Sequence, residues 1–244
     1  MKHTIKVTVT TCSNLLIGGS PVPFEIGGID QWTAVDSDGF PYIPASSWKG
    51  ALRMIVKEDA ERGETEDAQA ITRFYQAFLK REWKENEQRI RQLWGEETEG
   101  VERVRARYDR AIKNASPCDL FGIREFNNTP KLLFNDLRLK AEYRDLKKCF
   151  SIDAKNSIAS NGTEPKSNPR TYKTARTGLV FEGEIEFYQF DQAGFDVEQC
   201  RRYIMRNLEK FNDGIYRLGN SKSRGYGKIR VSFTEDGGEK RGKL

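Results

Sequence analysis

The order in which the apolar pattern changes its period along the chain limits the fold more strongly than any other feature of the sequence. Residues 4–12 (TIKVTVTTC) alternate apolar and polar side chains, which is typical of a half-buried strand. Residues 48–62 then repeat apolar side chains at helical spacing, after the helix-capping residues Ser46 and Ser47. Strand patterns follow at 131–139 and 178–190, a helical stripe at 195–211 and a last strand at 228–233. This order predicts an α+β fold of the ferredoxin-like (RRM-like) type.

Two further segments extend this predicted core. Residues 57–115 are highly charged but periodic, which predicts an insertion of two or three amphipathic helices that break near Gly95 and Gly100. Residues 234–244 form a charged tail that we expect to be disordered. We therefore expect one domain over residues 1–244.

A long basic loop lies between the two middle strands. Residues 151–178 are rich in Ser, Asn, Thr, Pro and Gly and carry few apolar side chains. Four bases and no acids stand between positions 166 and 176, namely Lys166, Arg170, Lys173 and Arg176. Such a segment cannot bury a core of its own and is long for a connection without function. A disordered insertion is the alternative interpretation.

Histidine and cysteine usage disfavours several common chemistries. The only histidine is His3, so a Ser-His-Asp triad or a histidine general acid is not expected. The four cysteines are far apart and form no CxxC pair, which excludes a CxxC…CxxC zinc site and disfavours a disulfide framework.

The overall charge of the chain is only mildly basic. The 41 Lys and Arg residues exceed the 36 Asp and Glu residues among 244 residues, which gives a net charge of +5. This excess does not by itself indicate a polyanionic partner, so the placement of the charges must decide. No apolar run reaches the length of a membrane span, and the N-terminus does not resemble a signal peptide, so we expect a cytoplasmic protein.

The segment most suited to a ligand is the glycine-rich loop 218–228 (LGNSKSRGYGK). Gly219, Gly225 and Gly227 let backbone N–H groups approach a ligand closely. Donors and positive charge come from Ser221, Lys222, Ser223 and Arg224. Oriented amides and cations of this kind bind a phosphodiester backbone without reading its sequence. The alternative is a tight turn between a helix and a strand.

A second candidate is the predicted helix start in residues 43–53 (IPASSWKGALR). A helix N-terminus offers unpaired N–H groups to an anion, and Ser46 and Ser47 lie at this end. Lys49 and Arg53 are four positions apart, so both can face the same polyanion. Taken alone, the segment is more typical of an ordinary capped helix.

Several of these segments together resemble a known family. Residues 43–53 resemble the IPGSSLKGxxR segment of RAMP proteins, and residues 218–231 resemble their C-terminal loop LGGxxSRGYGxV. Residues 118–123 (CDLFGI) resemble the family's DxLFG element, and 131–139 resemble the strand after it. Residues 26–44 are similar to the segment IGxIDxPVIxDPxxxxPxIP of the Csm- or Cmr-style backbone subunits of type III CRISPR effector complexes.

This resemblance implies a role in an RNA-guided complex. Family members bind CRISPR guide RNA on a palm of sheet and helices, and they assemble with copies of themselves, paralogous RAMP subunits or other type III effector subunits. A protruding β-hairpin thumb kinks the duplex of guide and target RNA, and residues 151–178 match the thumb in position. The RNA-binding residues implied are Ser46, Ser47, Lys49, Arg53, Lys166, Arg170, Lys173, Arg176, Gly219, Ser221, Lys222, Ser223, Arg224, Gly225 and Gly227.

The resemblance also implies a catalytic residue. In family members that cleave target RNA, an aspartate in the glycine-bearing segment before the first helix is required, and Asp30 matches it. Attack of a 2′-hydroxyl on the adjacent phosphate needs no histidine. An aspartate with the ordinary pKa of about 3.9 is a poor base at neutral pH, so we expect Asp30 to hold a divalent metal, Mg²⁺ by preference. From the residues alone, a loop aspartate that caps a turn is the simpler interpretation.

Three alternatives stay open. The chain can be a non-catalytic RAMP scaffold that holds guide RNA and neighbouring subunits. It can be a RAMP endonuclease that processes guide precursors, although such enzymes commonly use histidine chemistry and this chain has only His3. It can also be a ferredoxin-like interaction domain without affinity for RNA.

Overall fold

The computed structural model describes residues 3–18, 29–62, 65–94, 99–160, 165–235 and 238–240. Its strands are β1 (Thr4–Thr11), β2 (Gln31–Trp32), β3 (Lys131–Phe134), β4 (Arg138–Leu139), β5 (Phe150–Ser160), β6 (Pro165–Ala175), β7 (Val180–Tyr188), β8 (Ile229–Glu235) and β9 (Gly238–Lys240). Its helices are α1 (Ala45–Arg62), α2 (Glu66–Trp94), α3 (Glu99–Lys113), α4 (Phe190–Ala193) and α5 (Val197–Glu209).

The larger sheet contains the strands predicted for the core. Its strand order is β3–β7–β1–β8–β9, and β4 pairs with β7. β1 and β8 are antiparallel, and Val9 stands opposite Val231 in their register. Ile5, Val7 and Val9 are at most 2% exposed, because alternate side chains of a strand point to the same face and here that face is apolar. The α+β class predicted from the sequence is confirmed.

The smaller sheet contains the basic loop. β5 and β6 pair antiparallel from Phe150 opposite Ala175 to Ser160 opposite Pro165, and β2 joins β6 in parallel. Residues 151–178 therefore form mainly a β-hairpin, as the resemblance predicts. Pairing the two strands satisfies the backbone N–H and C=O groups of a segment that has few apolar side chains to bury.

By its internal contacts the chain divides into two compact units. The helical unit consists of Met1–His3, Arg53–Leu133 and Glu186–Asn207. The sheet unit consists of Thr4–Leu52, Phe134–Ile185 and Leu208–Leu244. The expectation of one domain over residues 1–244 stays a prediction.

Each unit has buried apolar side chains of its own. In the helical unit, Phe78, Leu79, Tyr108 and Ala193 form a cluster against which Trp83 packs. In the sheet unit, Leu16, Tyr172 and Tyr226 form a small cluster in addition to the apolar face of β1. Trp83, expected from the sequence to be a core residue, thus packs against the core of the helical unit.

Several element boundaries differ from the sequence-based expectation. Residues 131–139 form two short strands instead of one. Asp136 lies in the interruption between them, and its Oδ1 accepts the N–H of Ala45 at 2.8 Å. α2 ends at Trp94 and α3 begins at Glu99, so a helix boundary lies beside Gly100, where the sequence predicted a break. The proposed break near Gly95 falls at 95–98, outside the described residues.

The C-terminal segment is described only in part. β8 runs to Glu235, and Gly238–Lys240 pair with it as β9, within the segment 234–244 that was expected to be disordered. Residues 236–237 and 241–244 lie outside the described residues.

A half-buried carboxyl group holds the short 3₁₀ helix Pro117–Phe121 of the helical unit. Asp119 Oδ2 accepts the N–H of Ser116 at 2.9 Å, and the Asp119 N–H donates to the Ser116 carbonyl at 3.0 Å. Burial raises the pKa of Asp119 to about 6, although the hydrogen bond from Ser116 and the nearby Arg53 both lower it. Ionisation of this side chain therefore opposes folding.

Replacing Asp119 by Asn should make the stability of the protein less dependent on pH. A carboxyl pKa that folding raises from 3.8 to about 6 contributes stability below pH 3.8, and that contribution is lost as the pH rises through 6. Relative to wild type, Asp119→Asn should therefore gain roughly 2–3 kcal/mol between pH 4 and pH 7. Urea unfolding of both proteins at these two pH values measures the difference, and parallel pH profiles would contradict the assignment.

Candidate functional site

An open groove of about 600 Å³ lies in the sheet unit, where the glycine-rich loop meets the base of the β5–β6 hairpin. We call it the hairpin groove. Its lining residues are Cys12, Ser13, Asn14, Ile152, Asp153, Ala154, Lys155, Thr177, Arg224, Gly225 and Tyr226. The lining is mostly polar, which suits a charged or strongly hydrated ligand better than an apolar one.

Asp153 is the acidic residue of the hairpin groove, and it is surrounded by donors. Its carboxylate accepts hydrogen bonds from Tyr226 Oη at 2.9 Å, Asn14 Nδ2 at 3.0 Å, Ser151 Oγ at 3.1 Å and Thr174 Oγ1 at 3.3 Å. Burial raises the pKa of Asp153, but these hydrogen bonds outweigh it, so that the pKa lies below its usual range. Its negative charge is thus spread over donors of the protein.

Cations lie around this acid. Lys155 Nζ donates to the carbonyl of Arg224 at 3.1 Å and lies 4.2 Å from the centroid of the Tyr226 ring. Arg170 stands opposite Lys155 in the strand register and is exposed, and the Arg224 side chain is exposed as well. The hairpin and the loop thereby present positive charge on the same groove.

Two glycines of the loop are required by close packing. A Cβ on Gly219 would lie 2.3 Å from the carbonyl oxygen of Leu16, and one on Gly227 would lie 1.9 Å from that of Leu218. Both have positive φ, as does Gly225, but around Gly225 there is open space. Gly219 and Gly227 therefore allow the loop to dock, and Gly225 leaves the backbone accessible to a ligand.

Between these glycines the chain turns its cationic residues outward. Ser221 has a φ of 56°, and Lys222–Arg224 form a single 3₁₀ turn. Arg217 Nη1 supports this turn by donating to the Lys222 carbonyl at 2.8 Å. Ser223 is exposed, like Arg224 beside it. The loop is a tight turn, as the structural alternative predicted, and the same turn presents the predicted ligand-binding side chains.

Asp30 is exposed beside the hairpin, at the edge opposite to β5. Its backbone N–H donates to the Thr171 carbonyl at 2.9 Å, and its Oδ2 accepts the Thr171 N–H. Asp30 immediately precedes β2, and β6 separates β2 from β5. Since neighbouring strands are about 4.8 Å apart, Asp30 and Asp153 lie on opposite sides of one strand. The carboxylate is at the surface and is held in place by backbone.

The described residues around Asp30 do not form a metal site. Within the described ranges, no group of three or more His, Cys, Asp and Glu side chains is placed to hold a metal ion. One of the two Asp30 oxygens is already committed to the Thr171 N–H. The donor set does not fit a site built from protein alone, so Mg²⁺ at Asp30 stays a prediction from the resemblance.

Two of the predicted thumb bases have structural contacts. Lys173 Nζ lies 4.4 Å from the centroid of the Trp32 ring and 4.3 Å from that of the Phe150 ring. The ammonium group therefore contacts two aromatic faces. Arg176 is exposed just beyond β6, and its N–H donates to the Cys149 carbonyl at 2.9 Å. Lys173 thus helps to fix β2 against the hairpin.

The start of α1 already holds an acidic group. The N–H of Ala45 donates to Asp136, so this helix end is capped by a carboxylate of the protein. Ser46 is exposed, Ser47 is half-buried, and Lys49 Nζ lies 5.9 Å from the Phe134 ring centroid. The arrangement favours the capped-helix interpretation of this segment over an open anion site.

Two of the predicted RNA-binding residues, Arg53 and Lys166, are not among the described residues that line the hairpin groove. Arg53 belongs to the helical unit, where it lies near Asp119 and Cys118. The side chain of Lys166 lies outside the described residues, although its backbone pairs with Ala159. Of the predicted residues, the groove is lined by Arg224 and Gly225, Arg170 stands opposite the lining residue Lys155 in the strand register, and Arg53 is not part of the groove.

Sequence reasoning missed most of the lining of the hairpin groove. Asn14, Asp153, Lys155 and Tyr226 were not identified as site residues. For Tyr226, the sequence offered a local signal in the flanking glycines Gly225 and Gly227. Both glycines have positive φ, so the backbone on either side of Tyr226 is held in a conformation that fixes the position of its side chain. Asn14 has no such signal, since its partner Asp153 is 139 residues away.

Among the described residues, none of the helices has both the length and the apolar composition that crossing a membrane requires.

A search of curated proteins found no match to the sequence. The family model of the RAMP superfamily matches residues 8–230. The fold and the site define the class of the protein, which is an α+β protein with a basic β-hairpin and a glycine-rich loop. The chain belongs to the RAMP superfamily.

Solved structures give a similar fold. One is the cryo-EM structure of the Type III-B Cmr-beta bound to cognate target RNA, with a TM-score of 0.53, 16% identity and 96% of this chain covered. The chain spans 61% of the length of that Cmr-beta chain. The crystal structure of Cmr6 from Pyrococcus furiosus matches with a TM-score of 0.45 and 17% identity, over 94% of this chain and 98% of Cmr6. The first likeness supports the fold, and the second is too low to support an inference.

Two glycine substitutions should differ in their effect on folding. Gly227→Ala places a Cβ against the Leu218 carbonyl and should lower the free energy of unfolding by at least about 2 kcal/mol. Gly225→Ala has a similar positive φ but open space, so it should cost only about 1 kcal/mol. Denaturant unfolding of both variants measures the difference. Equal losses would mean that the loop does not dock as described.

Proposed function

We propose that the chain is a guide-RNA-binding backbone subunit of a type III CRISPR ribonucleoprotein. The observation that carries the proposal is the hairpin groove, in which Lys155 of the β5–β6 hairpin and Arg224 of the glycine-rich loop line the same open space. Membership of the RAMP superfamily and the likeness in fold to Cmr-beta, whose structure is bound to cognate target RNA, support the same conclusion.

The chemistry of the groove favours the RNA backbone over the bases. Arg170 and Arg224 carry flexible, exposed guanidinium groups that suit phosphate oxygens. The space around Gly225 lets a phosphate approach the backbone of the loop. Contacts of this type position a strand without selecting its sequence. A guide of any sequence would therefore bind, and the sequence is read by base pairing between guide and target.

The single acid of the groove does not oppose this function. Asp153 shares its charge with four donors, which reduces its repulsion of a phosphate. Lys155 lies in the same groove and adds a further positive charge. The hydrogen bonds of Asp153 also attach the loop to the hairpin, so that both sets of cations keep a constant spacing along a bound strand.

A second candidate function is cleavage of target RNA by means of Asp30. The observation that favours it is the position of the Asp30 carboxylate. The carboxylate is exposed beside the hairpin, and the Thr171 N–H fixes its orientation. Such a group can accept a hydrogen bond from a ribose 2′-hydroxyl and orient that oxygen toward the adjacent phosphate. The 2′-oxygen then bonds to phosphorus as its proton passes to solvent, and the bond from phosphorus to the 5′-oxygen breaks as that oxygen takes a proton from solvent, which leaves a 2′,3′-cyclic phosphate and a 5′-hydroxyl. The alternative is a scaffold that binds RNA but does not cleave it.

Replacing a groove cation should weaken RNA binding and its dependence on salt. Arg224→Gln and Arg170→Gln should each make the negative slope of log K against log salt shallower by about 0.7 if one phosphate contact to single-stranded RNA is lost. Fluorescence anisotropy with a labelled single-stranded RNA between 50 and 300 mM salt measures the slope. Arg103→Gln is the control, because Arg103 is exposed on α3 and pairs with Glu99. Slopes equal to that of the control would contradict the proposed interface.

Removing the Asp30 carboxylate should abolish cleavage and leave RNA binding intact. In the assembled complex, Asp30→Ala and Asp30→Asn should cleave guide-matched RNA at least about 100-fold more slowly. Asn keeps an acceptor for the Thr171 N–H, so a loss in both variants assigns the effect to the charge. Asp38→Ala, which removes an exposed loop acid, is the control and should cleave normally. Undiminished cleavage by Asp30→Ala contradicts the catalytic role, and a wild-type complex that binds but never cleaves establishes the scaffold.

A further inference from the structure

The helical unit contains a pocket that the proposed function does not use. Its volume is about 220 Å³, and it lies between the C-terminal half of α3 and the turn that follows the 3₁₀ helix Pro117–Phe121. The lining residues are Arg107, Arg110, Ala111, Asn114, Asp119, Ile123, Arg124, Glu125 and Phe126. This volume is below that of a typical drug-sized pocket and is sufficient for a ligand of about the size of a sugar phosphate.

One wall of the pocket consists of hydrogen-bond donors on a single face of the helix. Arg107 and Arg110 lie on α3, and Asn114 directly follows the helix and continues its hydrogen bonding by donating its N–H to the Arg110 carbonyl at 3.1 Å. With the spacing i, i+3 and i+7, the three residues lie along one face over about 10 Å of the axis. No acid within the described residues forms an ion pair with Arg107 or Arg110. By contrast, Arg103 and Arg105 on the same helix pair with Glu99 and Asp109. The two unpaired guanidinium groups are those that line the pocket.

Arg107 has a buried donor without an acceptor. Its guanidinium lies 5.1 Å from the centroid of the Phe126 ring, which covers one face of the group. Its Nε is buried, and within the part of the chain that the structure describes it has no hydrogen-bond partner. An unsatisfied buried N–H is unfavourable in a folded protein, so a ligand that accepts a hydrogen bond here would be stabilising.

The opposite wall is a tight turn with an unusual backbone conformation. The N–H of Phe126 donates to the Ile123 carbonyl at 3.1 Å, and Glu125 between them has a φ of 70°. Positive φ is uncommon for a residue other than glycine and is concentrated at sites that position a ligand. At this turn Arg124 extends from the wall and pairs with Glu125 at 3.8 Å. The turn thus adds a third guanidinium opposite the helix.

The number and direction of these donors favour phosphate over carboxylate. A carboxylate offers two oxygens in one plane, which a single guanidinium fork satisfies. A terminal phosphate offers three oxygens that point in different directions and carries up to two negative charges. Three guanidinium groups from two facing walls, together with the Asn114 amide, match the second pattern.

We propose that this pocket binds a phosphate monoester about the size of a pentose phosphate. The phosphate accepts hydrogen bonds from Arg107 and Arg110 on α3, and Arg124 contacts it from the turn. Two sources share this chemistry, namely a free phosphorylated metabolite and the terminal phosphate of an RNA strand. The site is separate from the hairpin groove in residues and in unit, and it does not rest on the proposed function.

Calorimetric titration of the full-length protein with ribose 5-phosphate tests the proposal. We expect saturable binding at one site by wild type and at least 10-fold weaker binding by Arg110→Gln. Arg105→Gln is the matched control, because Arg105 lies on the same helix outside the pocket, and its affinity should stay within 2-fold of wild type. Thermal melting confirms that the variants are folded. No binding by wild type, or equal affinity of Arg110→Gln and wild type, overturns the proposal.

Further probes identify the chemistry and the source. Citrate bound as tightly as ribose 5-phosphate would overturn the preference for phosphate. A short RNA with a 5′-phosphate that binds more tightly than its 5′-hydroxyl form, with the preference lost in Arg110→Gln, supports the proposal and identifies RNA ends as the source. Equal binding of the two RNAs, with retained binding of ribose 5-phosphate, supports a free metabolite. Arg224→Gln should still bind ribose 5-phosphate, so failure of this proposal is distinguishable from failure of the groove.

Discussion

The hydrogen bond from Tyr226 to Asp153 is the interaction on which the site in the sheet unit depends. It connects the glycine-rich loop to β5, and the same carboxylate accepts a bond from Asn14 after β1. Three segments that are distant in sequence are therefore held by one half-buried carboxylate. Loss of that charge would leave several donors without an acceptor, which is more costly than the loss of any one hydrogen bond. The spacing of the cations around the groove follows from this junction.

Backbone packing around glycine complements this junction. Gly219 and Gly227 approach the carbonyls of Leu16 and Leu218 more closely than any side chain allows. The loop thus has one docked conformation, and its tip, Lys222–Arg224, keeps its position without a core of its own. A rigid base with exposed cations at the tip suits a ligand that is long, charged and variable in sequence. This is the physical basis of the proposed binding of RNA through its backbone.

Charge in this protein acts through its local arrangement, because the net charge of +5 is small for 244 residues. Several exposed cations on the helices are paired within one turn, as Lys57 is with Glu61 and Arg103 with Glu99. Exposed pairs of this kind contribute little to stability, but they leave little net charge on those helix faces. The unpaired guanidinium groups on α3 gather in one pocket, and those of the hairpin and loop face one groove. Both units therefore carry clusters of cations, built from different elements.

The sequence by itself determined the elements and their order, because period and glycine placement are local properties that each segment carries alone. The alternating pattern predicted β1 and the glycine spacing predicted the glycine-rich loop, whereas the hairpin in 151–178 was predicted by the resemblance to RAMP proteins. Only the tertiary structure decided which charged side chains are free to contact a ligand and which contact other parts of the protein. Lys173 lies between Trp32 and Phe150, Asp136 caps a helix that begins 91 residues before it, and Arg53 lies in the other unit. Whether a cation faces a ligand or a protein partner depends on contacts between residues far apart in the chain, and no local pattern records those contacts.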